Sequence, residues 1–149
     1  MKSIAFIVPW GGGKLPTYFQ LWLESCRRNP SVDFLVFTDD YTEYSYPDNV
    51  KVHYMSFEQM KELFQNHYDF PLSISAPYKF CDFRPAFGEI FSDYLVGYDY
   101  WGHCDVDLIW GDIRKFVTDD VLTKYKRIFA VEKANRERVG STEVLNIIF

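Results

Sequence analysis

The feature that most constrains the fold is the run Ile4-Ala5-Phe6-Ile7-Val8, five apolar residues closed by Pro9. A strand with one wet face alternates apolar and polar residues. A strand without that alternation is buried on both faces, and such strands belong to parallel sheets covered by helices. A second apolar run occupies residues 32–38. Between the two, residues 16–28 carry a helical stripe of Leu15, Phe19, Trp22 and Cys26, with Arg27 and Arg28 at the end favoured by the helix dipole and Asn29-Pro30 as a stop. Strand, helix and strand within about 35 residues make a βαβ unit.

The rest of the chain continues that alternation. Residues 41–49 are turn-like and residues 50–55 form a third short strand. Ser56-Phe57-Glu58-Gln59 has the capping-box pattern, with Met55 and Met60 spaced as a hydrophobic staple. The helix it opens carries Phe57, Met60, Leu63, Phe64 and His67 at helical spacing. A loop over 68–77 and a helical turn over 78–81 precede a helix predicted for 85–96, with Pro85 in its first turn. That helix would bury Phe87, Ile90, Phe91, Tyr94 and Leu95 and end at Gly97. Residues 98–104 read as a buried strand, 113–117 as a short segment, and Thr118 as the N-cap of a helix to about residue 125. Residues 128–131 suit one more strand, 132–143 are polar, and 144–149 are a short apolar tail. The expectation is an α/β domain over 1–131, a mostly parallel sheet flanked by helices, with a divergent tail over 132–149.

At 149 residues the chain suits one domain with a real core, and 48% hydrophobic content argues against disorder. A net charge of −5 without a basic patch argues against a nucleic-acid partner. Cys26, Cys81 and Cys104 are odd in number and widely spaced, which suits buried thiols in a reducing compartment. The apolar run after Met1-Lys2-Ser3 is too short for a signal peptide or a membrane span. A cytoplasmic protein is therefore expected, with a peripheral position at the inner membrane face if its acceptor is lipid-linked.

Ligands of open α/β sheets sit outside the carboxyl ends of the strands. Three polar clusters fall there: residues 9–14, residues 38–40, and Asp105-Val106-Asp107. In an extended chain Asp105 and Asp107 point to one side, roughly 6–7 Å apart, so both can address one cation; the plainer alternative is a solvated loop with two acids. Apolar neighbours would make such carboxylates costly unless something positive compensates them, and Mg²⁺ or Mn²⁺ carrying phosphate oxygens does so. Asp39 suits a ribose or base hydrogen bond, or equally a turn. Three glycines at 11–13 allow close backbone approach to a ligand, but the loop is neither a dinucleotide fingerprint nor a Walker loop, and a flexible loop is the stronger reading. Lys79, Asp82 and Arg84 lie among Tyr78, Phe80, Cys81 and Phe83, where they could grip a phosphate or sugar hydroxyls, or pair with one another. His103 reads as a hydrogen-bonded core residue, without the partner pair a zinc site needs.

The blocks APYKFCDFRPAFGEIF, YDYWGHCDVDLIWGDIRKF and TDDVLTKY, with the opening strand and Asp39, resemble a little-characterised bacterial family similar to GT-A glycosyltransferases, over roughly residues 1–129. Members tend to accompany surface-polysaccharide genes. The resemblance implies a Rossmann-like half that binds a nucleotide diphosphate sugar. Asp105 and Asp107 would match the DxD motif, Asp107 for the metal and Asp105 for the metal or the donor ribose and sugar. Pro9, Trp10 and Asp39 would line the nucleoside pocket, and Lys79, Asp82 and Arg84 would sit by the donor. The implied reaction moves a glycosyl group to a hydroxyl of a saccharide or lipid-linked acceptor.

After Ile128-Phe129 the sequence departs from that family, and only 42 residues follow Asp107. GT-A enzymes commonly carry a longer acceptor-binding half, so a truncated or frame-shifted member that keeps donor binding is expected. Two other readings stay open. One is a non-catalytic nucleotide-sugar-binding or assembly module. The other is a haloacid-dehalogenase-like phosphatase, since a strand leading into D-V-D-L-I superficially matches its phosphoacceptor motif.

Overall fold

The computed structural model describes residues 1–131 and 144–148. Four parallel strands form its sheet: β1 (Ile4–Trp10), β2 (Asp33–Thr38), β3 (Val50–Tyr54) and β4 (Tyr100–His103), in the order β3-β2-β1-β4. The protein is thus α/β with a Rossmann-like parallel sheet. β1 lies between β2 and β4, pairing Phe6 with Phe34 on one side and with Gly102 on the other.

The unbroken apolar runs are explained by two cores, one on each face. Ile4, Phe6 and Val8 of β1 and Phe34 and Val36 of β2 face one core with Phe19, Trp22, Leu23 and Cys26 of helix α1 (Phe19–Arg27). Ala5, Ile7, Leu35 and Phe37 face the other, with Met60 and Phe64 of helix α2 (Phe57–Gln65). Alternate residues of one strand thereby go to opposite faces, and neither face is left for water. The chain moves outward from β1 to β3 with α1 on the first face, then returns past β1 to β4 with α2 on the second. Crossovers of a single hand require that change of face when the direction of travel reverses.

Local signals explain where elements start and stop. Ser56 caps α2 in a complete capping box with Gln59, and Met55 and Met60 pack in the same core as the staple requires. Thr118 caps the short helix α4 (Asp119–Lys124), whose first turn carries Asp119 and Asp120. Gly97 adopts φ +91, the conformation expected at the stop before β4.

The helix predicted for 85–96 is corrected. The chain forms a 3-10 helix over Pro77–Ala86, one α-helical turn, α3 (Phe87–Ile90), and a second 3-10 turn over Ser92–Tyr94. Pro85 falls inside the first of these, where it has no N–H for an α-helical ladder. The expected apolar stripe is nevertheless used: Phe87, Ile90 and Phe91 are buried, with Tyr94 and Leu95 packed against them.

The apolar C-terminal segment also forms structure. β5 (Arg127–Val131) pairs antiparallel with β6 (Val144–Ile148), Phe129 opposite Asn146. The polar stretch 132–143 lies outside the described residues. Among the described residues, no helix is long and apolar enough to cross a membrane.

Candidate functional site

Because β2 and β4 flank β1 and the chain reverses direction between them, the carboxyl ends of β1 and β4 form the topological switch point of the sheet. A cavity of about 240 Å³ opens there. Its walls come from three segments. The end of β1 gives Pro9, Trp10 and Gly11, the 3-10 helix gives Pro77, Tyr78, Phe80, Cys81 and Arg84, and α3 with the end of β4 gives Phe87, His103, Cys104 and Asp105. Aromatic and proline surfaces with a few polar groups are the usual make-up of a small-molecule site.

The 3-10 helix is held over β1 by rings. Phe64 of α2 meets Phe80 at 4.6 Å, Phe83 at 5.3 Å and Phe87 at 6.0 Å between centroids. The segment after β4 is fixed from the other face. Trp110 packs on Phe6 and Phe34, while Asn29 donates to the Gly111 carbonyl and accepts the Ile113 N–H, both at 2.8 Å.

Of the residues singled out in the sequence, Pro9, Trp10, Arg84 and Asp105 line this cavity; Asp39, Lys79, Asp82 and Asp107 do not. Arg84 reaches across from the 3-10 helix, its Nη2 donating to Asp105 Oδ1 at 2.5 Å. Lys79 pairs with Asp82 at 3.3 Å, one 3-10 turn away on the outer surface. Asp105 and Asp107 are both exposed, while Cys104 and Val106 beside them are buried. Burial therefore does not make these two carboxylates costly. The apolar burial goes to the residues between the acids, and water solvates the acids themselves.

Asp39 serves the glycine loop. Its carboxylate accepts the N–H of Gly12 and Gly13 at 3.2 Å. Gly12 and Gly13 have φ of +80 and +151, so their glycines are required by the backbone. Asp40 is buried and accepts from the Leu15 N–H at 2.8 Å and from the Thr42 hydroxyl at 2.6 Å. Burial pushes its carboxyl up, but those hydrogen bonds, the Thr42 N–H and the charge of Lys14 outweigh burial and bring it below the ordinary value.

His103 lies deeper and is only 3% exposed. Its ring stands edge-on to Phe87 at 5.9 Å, and its Nε2 has no hydrogen-bond partner among the described residues. Burial, with Arg84 nearby, lowers its pKa to about 4, so the imidazole is neutral at physiological pH. The expected hydrogen-bonded core histidine is thus a core histidine whose Nε2 is unpaired among the described residues. Its place beside the cavity follows from its position at the end of a strand next to β1, a pairing that a single sequence does not reveal. Of the three cysteines, all free, Cys26 and Cys104 are buried as expected, whereas Cys81 is exposed on the 3-10 helix.

Residues 6–134 match a family described as a family of unknown function, DUF6625. The chain belongs to the DUF6625 family. The matched stretch takes in most of β1, all of β2 to β4 and every wall of the cavity, so the switch-point site lies wholly within the DUF6625 region. No curated protein and no solved structure matches the chain.

As for a metal, no three His, Cys, Asp or Glu side chains gather into a cage among the described residues.

Proposed function

We propose that this DUF6625 protein binds a nucleotide diphosphate sugar at the switch-point cavity and is a metal-dependent glycosyltransferase of the GT-A type, or the donor-binding portion of one, acting in surface-polysaccharide synthesis. The observation that carries the reading is the convergence of Trp10, Arg84 and Asp105 on one cavity at the carboxyl ends of β1 and β4. At about 240 Å³ the cavity accommodates one ring of such a donor, not the whole of it. The rest would run over the exposed carboxylates and the glycine loop.

In this reading each residue has a chemical task. Trp10 and Tyr78 offer ring faces to a base or a sugar. Arg84 presents a planar guanidinium to diphosphate oxygens. Asp107, with Asp105, would hold Mn²⁺ or Mg²⁺, which neutralises a diphosphate leaving group when bound. Positioning and charge stabilisation would carry most of the rate. Asp39 acts through the loop it holds, not by direct contact.

The test is a thermal-shift panel of nucleotide sugars with and without Mn²⁺, on the native sequence and on Asp107→Ala. Stabilisation by one donor that needs metal and disappears in the variant is the expected result. Silence toward every donor would reject the reading. Donor binding without transfer to any hydroxyl acceptor would identify a binding module.

A further inference from the structure

We propose that Arg84 and Asp105 form an exchangeable charge lock at the cavity, through which an anion and a divalent cation are admitted together and each alone is resisted. The inference takes the identity of the two ions from the donor-site reading; the lock itself rests on geometry. Arg84 Nη2 donates to Asp105 Oδ1 at 2.5 Å, joining two segments 21 positions apart, and both residues line the cavity.

Each partner is the other's obstacle. A divalent cation that approaches Asp105 meets the guanidinium already on its carboxylate oxygen. A phosphate that approaches Arg84 meets the carboxylate already on its guanidinium. Like charges at such short range repel strongly even near a protein surface. When both ions arrive, the carboxylate turns to the cation and the guanidinium to the anion, and every charge has an opposite neighbour.

The neighbouring charges leave the exchange to this pair. Lys79 is already paired with Asp82, and neither lines the cavity. Asp107 has no ion-pair partner among the described residues, so it can make first contact with a cation. The Asp105 side chain is 56% exposed and that of Arg84 27%, and partly exposed ion pairs are weak enough for a ligand to open.

The test is calorimetric titration of the full chain with Mn²⁺ alone and, separately, with inorganic diphosphate alone. Arg84→Gln frees the carboxylate, and Mn²⁺ should bind it at least several-fold more tightly than it binds the native protein. Asp105→Asn frees the guanidinium, and diphosphate should bind it at least several-fold more tightly without metal. Arg84→Lys keeps the competing charge and should leave Mn²⁺ affinity near the native value, which also controls for loss of folding. Equal or weaker binding of either ion to its freed variant, or no binding of either ion to any of the proteins, overturns the lock. Neither titration contains a nucleotide or a sugar. Failure of the donor panel with success here would keep the lock and reject the donor, and the reverse would do the opposite.

Discussion

Asp39 holds Gly12 with both oxygens of its carboxylate, each 3.2 Å from the Gly12 amide nitrogen. That one contact joins the end of β2 to the loop after β1, and the loop passes directly into a wall of the cavity through Gly11 and Trp10. A side chain at Gly12 would meet Pro77 Cγ at 2.5 Å, on a backbone with φ +80. Gly12→Ala should therefore cost about 1–3 kcal/mol, from strain and from displacement of the 3-10 helix. Asp39→Ala loses only exposed hydrogen bonds and should cost about 1 kcal/mol. Urea denaturation of both variants checks the order, and a neutral Gly12→Ala would show that the loop is not fixed in this way.

Phe64 is the ring on which the far wall of the cavity depends. It is fully buried and touches Phe80, Phe83, Phe87 and Phe91 with centroid separations between 4.6 and 6.0 Å. Phe64→Ala should lose about 3–5 kcal/mol, and Phe64→Leu clearly less, because leucine refills part of the space. Equilibrium denaturation measures both. Near-equal losses would mean that the four rings do not converge on this one.

How much of this was legible in the sequence follows from the kind of signal each feature leaves. Ile4–Trp10 and the run to Thr38 announce a doubly buried sheet because a covered strand has no reason to alternate. Ser56 and Gln59 announce a helix start because capping is local. Pro85 misleads for the same reason: a proline in a first turn and one inside a 3-10 helix look alike in sequence, and tertiary packing of Phe80 and Phe87 decides between them. The aspartates at 105 and 107 are correctly placed at a strand end, but their exposure depends on which neighbours fold inward. The partnership of Arg84 with Asp105 has no sequence trace at all, since it arises only when the 3-10 helix is laid over the end of β4.

Asp40 gives the fold a pH dependence with a definite sign. Its carboxyl lies below the ordinary 3.8 in the folded protein, so the unfolded chain takes up its proton first as the pH falls. The stability it contributes is complete above the unfolded value and is lost as the pH falls through the lower folded one. Asp40→Asn cannot follow that titration. The difference in Tm between the native protein and Asp40→Asn should be full at about pH 6 and shrink steadily below about pH 4. A difference that stays constant down to pH 2 would mean that the Leu15 and Thr42 hydrogen bonds do not favour the charged form.

His103 offers the opposite case, a polar group that the folded chain buries without a partner. Its Nε2 is sealed from water and unpaired among the described residues, and its ring packs edge-on to Phe87. Leaving a buried nitrogen unsatisfied costs about 1–3 kcal/mol, whereas an apolar ring of similar outline makes no such demand. His103→Phe should therefore raise stability by about 1 kcal/mol, after some loss from the larger ring. His103→Ala should lower it, since it empties space between β4 and Phe87 and removes the ring contact. Urea midpoints of the two variants give the answer. A His103→Phe protein less stable than the native one by 1 kcal/mol or more would mean that the nitrogen has a partner in solution and that the imidazole is there to hold it.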